Sequence, residues 1–165
     1  MDATVAPQNN TYPTDLKLLN SAREKSEELI DKLYRKDLHG DEKVRTYREN
    51  ARKDFLNSAR KKTKGSKAIY RANGSQLRYL KRNLSHITSL LESYQEKGIP
   101  TGLKQRDMDY LDVLKLVYEQ QYKMHTERVN KIENRIVNIH QPMYALSSGA
   151  RMIRRWSLAA RCRYR

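Results

Sequence analysis

Residues 77–125, LRYLKRNLSHITSLLESYQEKGIPTGLKQRDMDYLDVLKLVYEQQYKMH, carry the clearest secondary-structure signal in the chain. Apolar side chains recur there every three or four positions, first over 77–94 and again over 108–125, as on one face of an α-helix. Gly98, Pro100 and Gly102 separate the two runs and favour a turn. Because a short break joins two helices that each have an apolar face, the pattern predicts an antiparallel helical hairpin.

The same period extends upstream of this hairpin. Thr14 is a suitable N-cap for an amphipathic helix over Asp15–Leu38. A second amphipathic helix is predicted from Val44 to about Lys62. Downstream, the β-branched run Ile136–Ile139 predicts the start of a strand. The chain as a whole is therefore expected to be mainly α.

The composition favours a polyanionic partner. The 165 residues carry a formal net charge of +15 and a sequence pI near 10.0, which favours nucleic acid before an anionic membrane. The sequence contains neither a secretory signal nor an apolar run of the roughly 20 residues needed to cross a bilayer. We therefore expect no membrane partner and a cytoplasmic location, in a bacterial cytosol. Cys162 is the only cysteine, which excludes an internal disulfide.

One basic cluster is the best candidate for contacts with phosphates. It combines a polar, lysine-rich link with cations at helical spacing in the following helix. Its members are Lys61, Lys62, Lys64, Lys67, Arg78, Lys81 and Arg82. The alternative interpretation is an ordinary solvated basic face.

The first residues, MDATVAPQNNTYPTDLKLLN (1–20), combine an acidic residue on a short extended segment with a proline-bounded turn into a helix. Thr4 and Val5 favour the end of a strand. The segment Asp2–Thr4, the turn Tyr12–Asp15 and the following Leu16–Leu19 resemble the start of the catalytic domain of DDE-type insertion-sequence transposases. The resemblance continues through the helices to about Pro142.

This resemblance implies a fragment of an enzyme. Members of the family use three carboxylates on a ribonuclease-H-like sheet to hold two Mg²⁺ or Mn²⁺ ions for DNA phosphoryl transfer. Only Asp2 matches that triad here, so it is the candidate catalytic and metal-binding residue, and it could act only with the missing carboxylates. We expect that this chain binds no metal by itself. The resemblance makes 14–135 the helical insertion of the catalytic domain, with strand remnants at 1–13 and 136–142.

Residues 143–165 differ from the rest of the chain, with six Arg and no Lys, Asp or Glu. One interpretation is a disordered arginine-rich arm for phosphates or lipid headgroups. Another is an out-of-frame translation, because permitted codons for this segment, read one nucleotide earlier, can spell YVRPIVRGKDDKAVEFGGKVSLS. That peptide alternates like paired strands and looks like the segment that follows the helices in these transposases. The expected tail is then a disordered, frameshifted one.

Three functions follow as hypotheses. The first is a truncated transposase that belongs to an insertion sequence, has transposon-end DNA as its ancestral partner and is inactive alone. The second is a non-catalytic basic helical protein that binds nucleic acid. The third is an interaction protein that self-associates as a coiled coil through its helical seams.

Overall fold

The computed structural model describes residues 14–63 and 65–140. Five α-helices account for most of them: α1 (Asp15–Leu33), α2 (Lys36–His39), α3 (Arg48–Ala59), α4 (Ser66–Glu96) and α5 (Gln105–Glu127). This part of the chain contains no strand, which confirms the mainly α prediction. Asp2 and the strand remnant over 1–13, Lys64, and the tail over 143–165 lie outside the described residues.

The core forms where α1, α4 and α5 pack together. Each helix contributes fully buried side chains, such as Leu19 of α1, Leu80 of α4 and Leu114 of α5. Burying one such leucine stabilises the fold by about 1.5–3 kcal/mol. The three-helix bundle therefore supplies most of the apolar stabilisation, and α3 packs on α4 outside it.

The predicted hairpin corresponds to α4 and α5. Gly98 ends α4 with a φ of +63°, and its neighbour Ile99 donates a backbone hydrogen bond to the Tyr94 carbonyl at 3.0 Å. Only glycine adopts such a φ without strain, which explains why the chain turns here. His125 near the end of α5 stacks on Tyr70 near the start of α4, so the two helices run antiparallel.

The first two helices are shorter than predicted. α1 ends at Leu33, because Tyr34 is extended with φ −71° and ψ 125°. The Tyr94 hydroxyl donates to the Leu33 carbonyl at 2.8 Å and so satisfies an acceptor that the helix end leaves free. The C-terminal part of the predicted first helix instead forms the separate short helix α2. Likewise, α3 begins at Arg48 rather than at Val44.

The predicted strand start at 136–142 is not formed by its described residues, 136–140. Ile136 and Ile139 are buried, whereas Val137 is 44% exposed. The two isoleucines therefore belong to an irregular segment that packs against the core of the bundle. The Ile136 N–H donates to Gln120 Oε1 at 2.9 Å. A side chain of α5 thus satisfies a donor that a strand would have paired with a neighbouring strand.

Candidate nucleic-acid interface

The positive charge is concentrated in residues 43–82, which we call the basic arm: α3, its flanking connections and the first half of α4. The arm holds 14 Lys or Arg residues against two acids, Glu49 and Asp54. By contrast, residues 14–42 hold six basic and eight acidic residues, and residues 83–140 hold eight of each. The bundle is therefore close to neutral, and the arm accounts for the excess charge of the described residues.

Most cations of the arm have no carboxylate partner. Lys43 and Arg48 form ion pairs with Asp31 of α1, at 2.6 and 3.0 Å. Among the described residues of the arm, eleven other cations form no ion pair. They are Arg45, Arg52, Lys53, Arg60, Lys61, Lys62, Lys67, Arg71, Arg78, Lys81 and Arg82.

Four of these cations lie along one face of α4. At about 100° per residue, Lys67, Arg71, Arg78 and Lys81 fall within roughly a quarter of the helix circumference. We call this row the basic stripe; all four residues are exposed. The buried positions of α4 that face the bundle, among them Leu80, lie on the other side of the helix. With Arg82 at its end, the stripe is about 22 Å long at the rise of an α-helix.

α3 lies beside α4 and is held there by polar contacts. The Gln76 amide donates to the Ala51 carbonyl at 3.0 Å, and Ala51 is the one fully buried residue of α3. The Tyr79 hydroxyl donates to Asp54 Oδ2 at 3.0 Å. Partial burial raises the pKa of Tyr79, and the hydrogen bond to Asp54 raises it further. Asp54 is thus engaged by a neutral donor rather than by a guanidinium group.

Aromatic rings, not carboxylates, hold two arginines of the arm. The guanidinium carbons of Arg45 and Arg82 lie 4.8 and 4.4 Å from the ring centroid of Tyr47. Arg82 also lies 5.9 Å from the ring of Tyr79. A cation over a ring keeps its full charge, because the quadrupole attracts it without neutralising it.

The structure brings together part of the predicted cluster. Lys67, Arg78 and Lys81 share the stripe, and Arg82 is half-buried beside them against Tyr47. Lys61 and Lys62 are exposed in the connection between α3 and α4, and Lys64 is outside the described residues. Spacing alone missed further members of the surface, which a charge count over a 40-residue window would have found: Arg45, Arg52, Lys53, Arg60 and Arg71.

Two carboxylates of the bundle, those of Asp15 and Asp107, bind other side chains of the protein. In the described ranges, no group of three or more His, Cys, Asp and Glu residues could hold a metal ion. Asp15, in the first turn of α1, accepts hydrogen bonds from Arg135 and from Gln121, the latter at 3.0 Å. The Lys32 ammonium lies 2.7 Å from Asp107 Oδ1, and this hydrogen bond lowers the pKa of that carboxyl.

Comparisons of the chain with protein-family models, with curated proteins and with solved structures found no match. No helix within the described ranges is long and apolar enough to span a membrane. The chemistry of the basic arm is therefore the main structural guide to function.

Proposed function

We propose that this protein binds nucleic acid without catalysis, and that the basic arm contacts the phosphate backbone. The observation that carries the proposal is the excess of basic residues in the arm, 14 against two acids, together with the eleven described cations there that form no ion pair. Phosphates supply the missing counter-charge, and release of their condensed counterions drives such binding.

The shape of the stripe suits a regular polyanion. A row about 22 Å long spans the rise of about six base pairs, at 3.4 Å for each step along one strand. Its side chains are long, exposed and free of competing acids. A surface of this kind recognises backbone charge and carries no base-specific readout, so we expect binding that depends little on sequence.

The proposal is tested by measuring the affinity of the full chain for a labelled DNA duplex over about 50 to 200 mM NaCl. The stripe variant K67Q/R71Q/R78Q/K81Q removes four charges from the arm. The matched control K104Q/K115Q/K123Q/K131Q removes four exposed lysines from the bundle and its C-terminal segment. Vesicles of anionic lipid provide a second polyanion.

We expect the stripe variant to bind at least about tenfold more weakly, with a salt slope shallower by about 0.9 for each phosphate that the variant no longer neutralises. The control should stay within about threefold of the natural chain, since its lysines lie outside the arm. Equal losses of affinity in both variants would contradict the proposal, because binding would then follow net charge alone. Preferential binding to vesicles would do so as well.

We propose in addition that the chain descends from a DDE-type transposase and is inactive alone. The support is the resemblance of residues 1–20 and the coherent shifted reading of 143–165; DNA binding by the arm does not depend on it. Codons TAT-GTA-CGC-CCT across the junction after Pro142, followed by a shifted frame with further triad carboxylates, are the expected result. DNA cleavage by the purified chain with Mg²⁺ or Mn²⁺, or a gene without those codons, would contradict it.

A further inference from the structure

We propose that Arg45, Tyr47 and Arg82 form a clamp for a single phosphate group, in which Tyr47 positions the two guanidinium groups. We call these three residues the Tyr47 clamp. The inference rests on the proposed function, and it names the group of the nucleic acid that this part of the arm would bind: one backbone phosphodiester.

The geometry places two like charges close together. Both guanidinium carbons lie within 5 Å of the Tyr47 ring centroid, so they are at most about 9 Å from each other. Arginine donors reach phosphate oxygens at about 2.7–2.9 Å in charge-assisted hydrogen bonds. One phosphate at the edge of the ring, within reach of both groups, would accept hydrogen bonds from both arginines.

Three acids of α1 and α3 are engaged by other residues. Asp31 is bound by Arg48 and Lys43, and Asp54 accepts the hydrogen bond from Tyr79. Glu27, in α1, pairs with Arg23 at 2.6 Å. Glu49, in the first turn of α3, forms no ion pair with the described cations. Neither Arg45 nor Arg82 forms an ion pair with any described residue, so an external anion would relieve the repulsion between them.

The backbone of Tyr47 adds an independent observation. Its φ and ψ are +55° and +31°, in the left-handed region that a bulky side chain rarely adopts. Tyr47 is 38% exposed and lies outside the apolar core, so core packing does not explain this conformation. Backbone conformations of this type cluster at binding sites, where the surrounding structure holds them.

The arrangement favours a phosphate over a base as the ligand. Aromatic rings bind single-stranded nucleic acid by stacking against bases, which requires an open ring face. Two guanidinium groups already contact the Tyr47 ring, and they present hydrogen-bond donors rather than a flat apolar surface. A phosphodiester on the nucleic acid and free inorganic phosphate share the chemistry that this clamp would recognise.

Two variants at position 47 separate the effect of the aromatic ring from the effect of the backbone conformation. Y47F keeps a ring for the two cations, and Y47G removes the ring but accepts the positive φ without strain. We expect Y47F to bind a DNA duplex within about twofold of the natural chain, and Y47G to bind about five- to tenfold more weakly. The melting temperature of Y47G should be unchanged or higher, because the glycine relieves the backbone.

Binding by Y47G equal to that of the natural chain would overturn the clamp. A weaker affinity in Y47F equal to that in Y47G would also overturn it, because the hydroxyl and not the ring would then matter. If Y47G binds normally while the stripe variant binds weakly, the clamp fails and the proposed function stands.

Inorganic phosphate tests the clamp without any nucleic acid. In an NMR titration of the full chain, we expect phosphate to shift the side-chain Nε–H signals of Arg45 and Arg82, and the shifts to be absent in Y47G. If phosphate shifts these signals but the protein binds no DNA duplex, the clamp is supported and the proposed function is rejected. The absence of shifts at both arginines in the natural chain would overturn the clamp.

Discussion

The three-helix bundle and the basic arm differ in how many acids accompany their basic residues. Outside the arm, basic and acidic residues nearly balance, and some of them pair: Arg23 pairs with Glu27 at 2.6 Å, and Lys32 joins α1 to Asp107 of α5 at 2.7 Å. In the arm, the described cations other than Lys43 and Arg48 form no ion pair. The difference teaches that the net charge of +15 is not a uniform property of the surface. It marks the part of the molecule whose counter-ions must come from outside.

The core of the bundle should give the largest effect on stability. Leu80 is fully buried against α1 and α5, so L80A should lower the free energy of unfolding by about 3–4 kcal/mol. Leu56 of α3 is half-buried, and L56A should cost about 1 kcal/mol or less. Urea titrations followed by circular dichroism measure both values. Equal losses of stability would contradict the assignment of the core to α1, α4 and α5 rather than to α3.

Breaking the buried ion pair of α1 should cause the second-largest loss of stability. Arg23 is 1% exposed and donates to Glu27 at 2.6 Å and to Asn20 at 2.8 Å. E27L leaves a buried guanidinium with fewer acceptors, so we expect a loss of about 2–3 kcal/mol. The double variant R23M/E27L removes both charges and should recover part of that loss. A double variant less stable than E27L would show that the pair is not the cause.

The ion pair between Lys32 and Asp107 makes the free energy of unfolding depend on pH. Lys32 lowers the pKa of Asp107 below its usual 3.8, so the folded state favours the ionised carboxylate. That contribution is present above the unfolded pKa and is lost as the pH falls through the lower folded value. Because Lys32 is 41% exposed, the effect should be below about 1 kcal/mol.

D107N tests this contribution, because asparagine does not titrate. Thermal melts at several pH values should show a smaller loss of stability in D107N than in the natural chain as the pH falls below about 4. An identical dependence in both proteins would assign the acid sensitivity to other carboxylates.

The stripe variant should have the smallest effect on stability, although it should have the largest effect on DNA binding. K67Q/R71Q/R78Q/K81Q removes exposed charges that have no partner, so its free energy of unfolding should stay within about 0.5 kcal/mol of the natural value or rise slightly. Urea titration of the same preparation that is used for DNA binding makes the comparison direct. A large loss of stability would mean that the stripe has a structural role.

The sequence predicted the parts of the fold that depend on local pattern. The apolar period and the glycines at 98 and 102 were enough for α4, α5 and the turn between them. The end of α1 at Leu33 was not predictable, because it involves a hydrogen bond from Tyr94, 61 positions away in the chain. The predicted strand near Ile136 fails for a similar reason, since tertiary packing against α5 overrides β-propensity.

The same limit applies to the interface. Helical spacing places Arg78 and Lys81 together without any knowledge of the fold, because both belong to one helix. The contact between Tyr47 and Arg82 requires α3 to pack beside α4, and no local pattern contains that information. The positive φ of Tyr47 is likewise set by its surroundings, since the residue type disfavours it.

Hydrogen exchange of the full chain with and without a DNA duplex tests the division between bundle and arm most directly. We predict that the duplex slows exchange in α3, in the connection after it and in the first half of α4. Exchange in α1 and α5 should change little, because neither helix has an excess of basic residues and both bury an apolar face. Protection centred on α1 or α5, with none in the basic arm, would contradict the account.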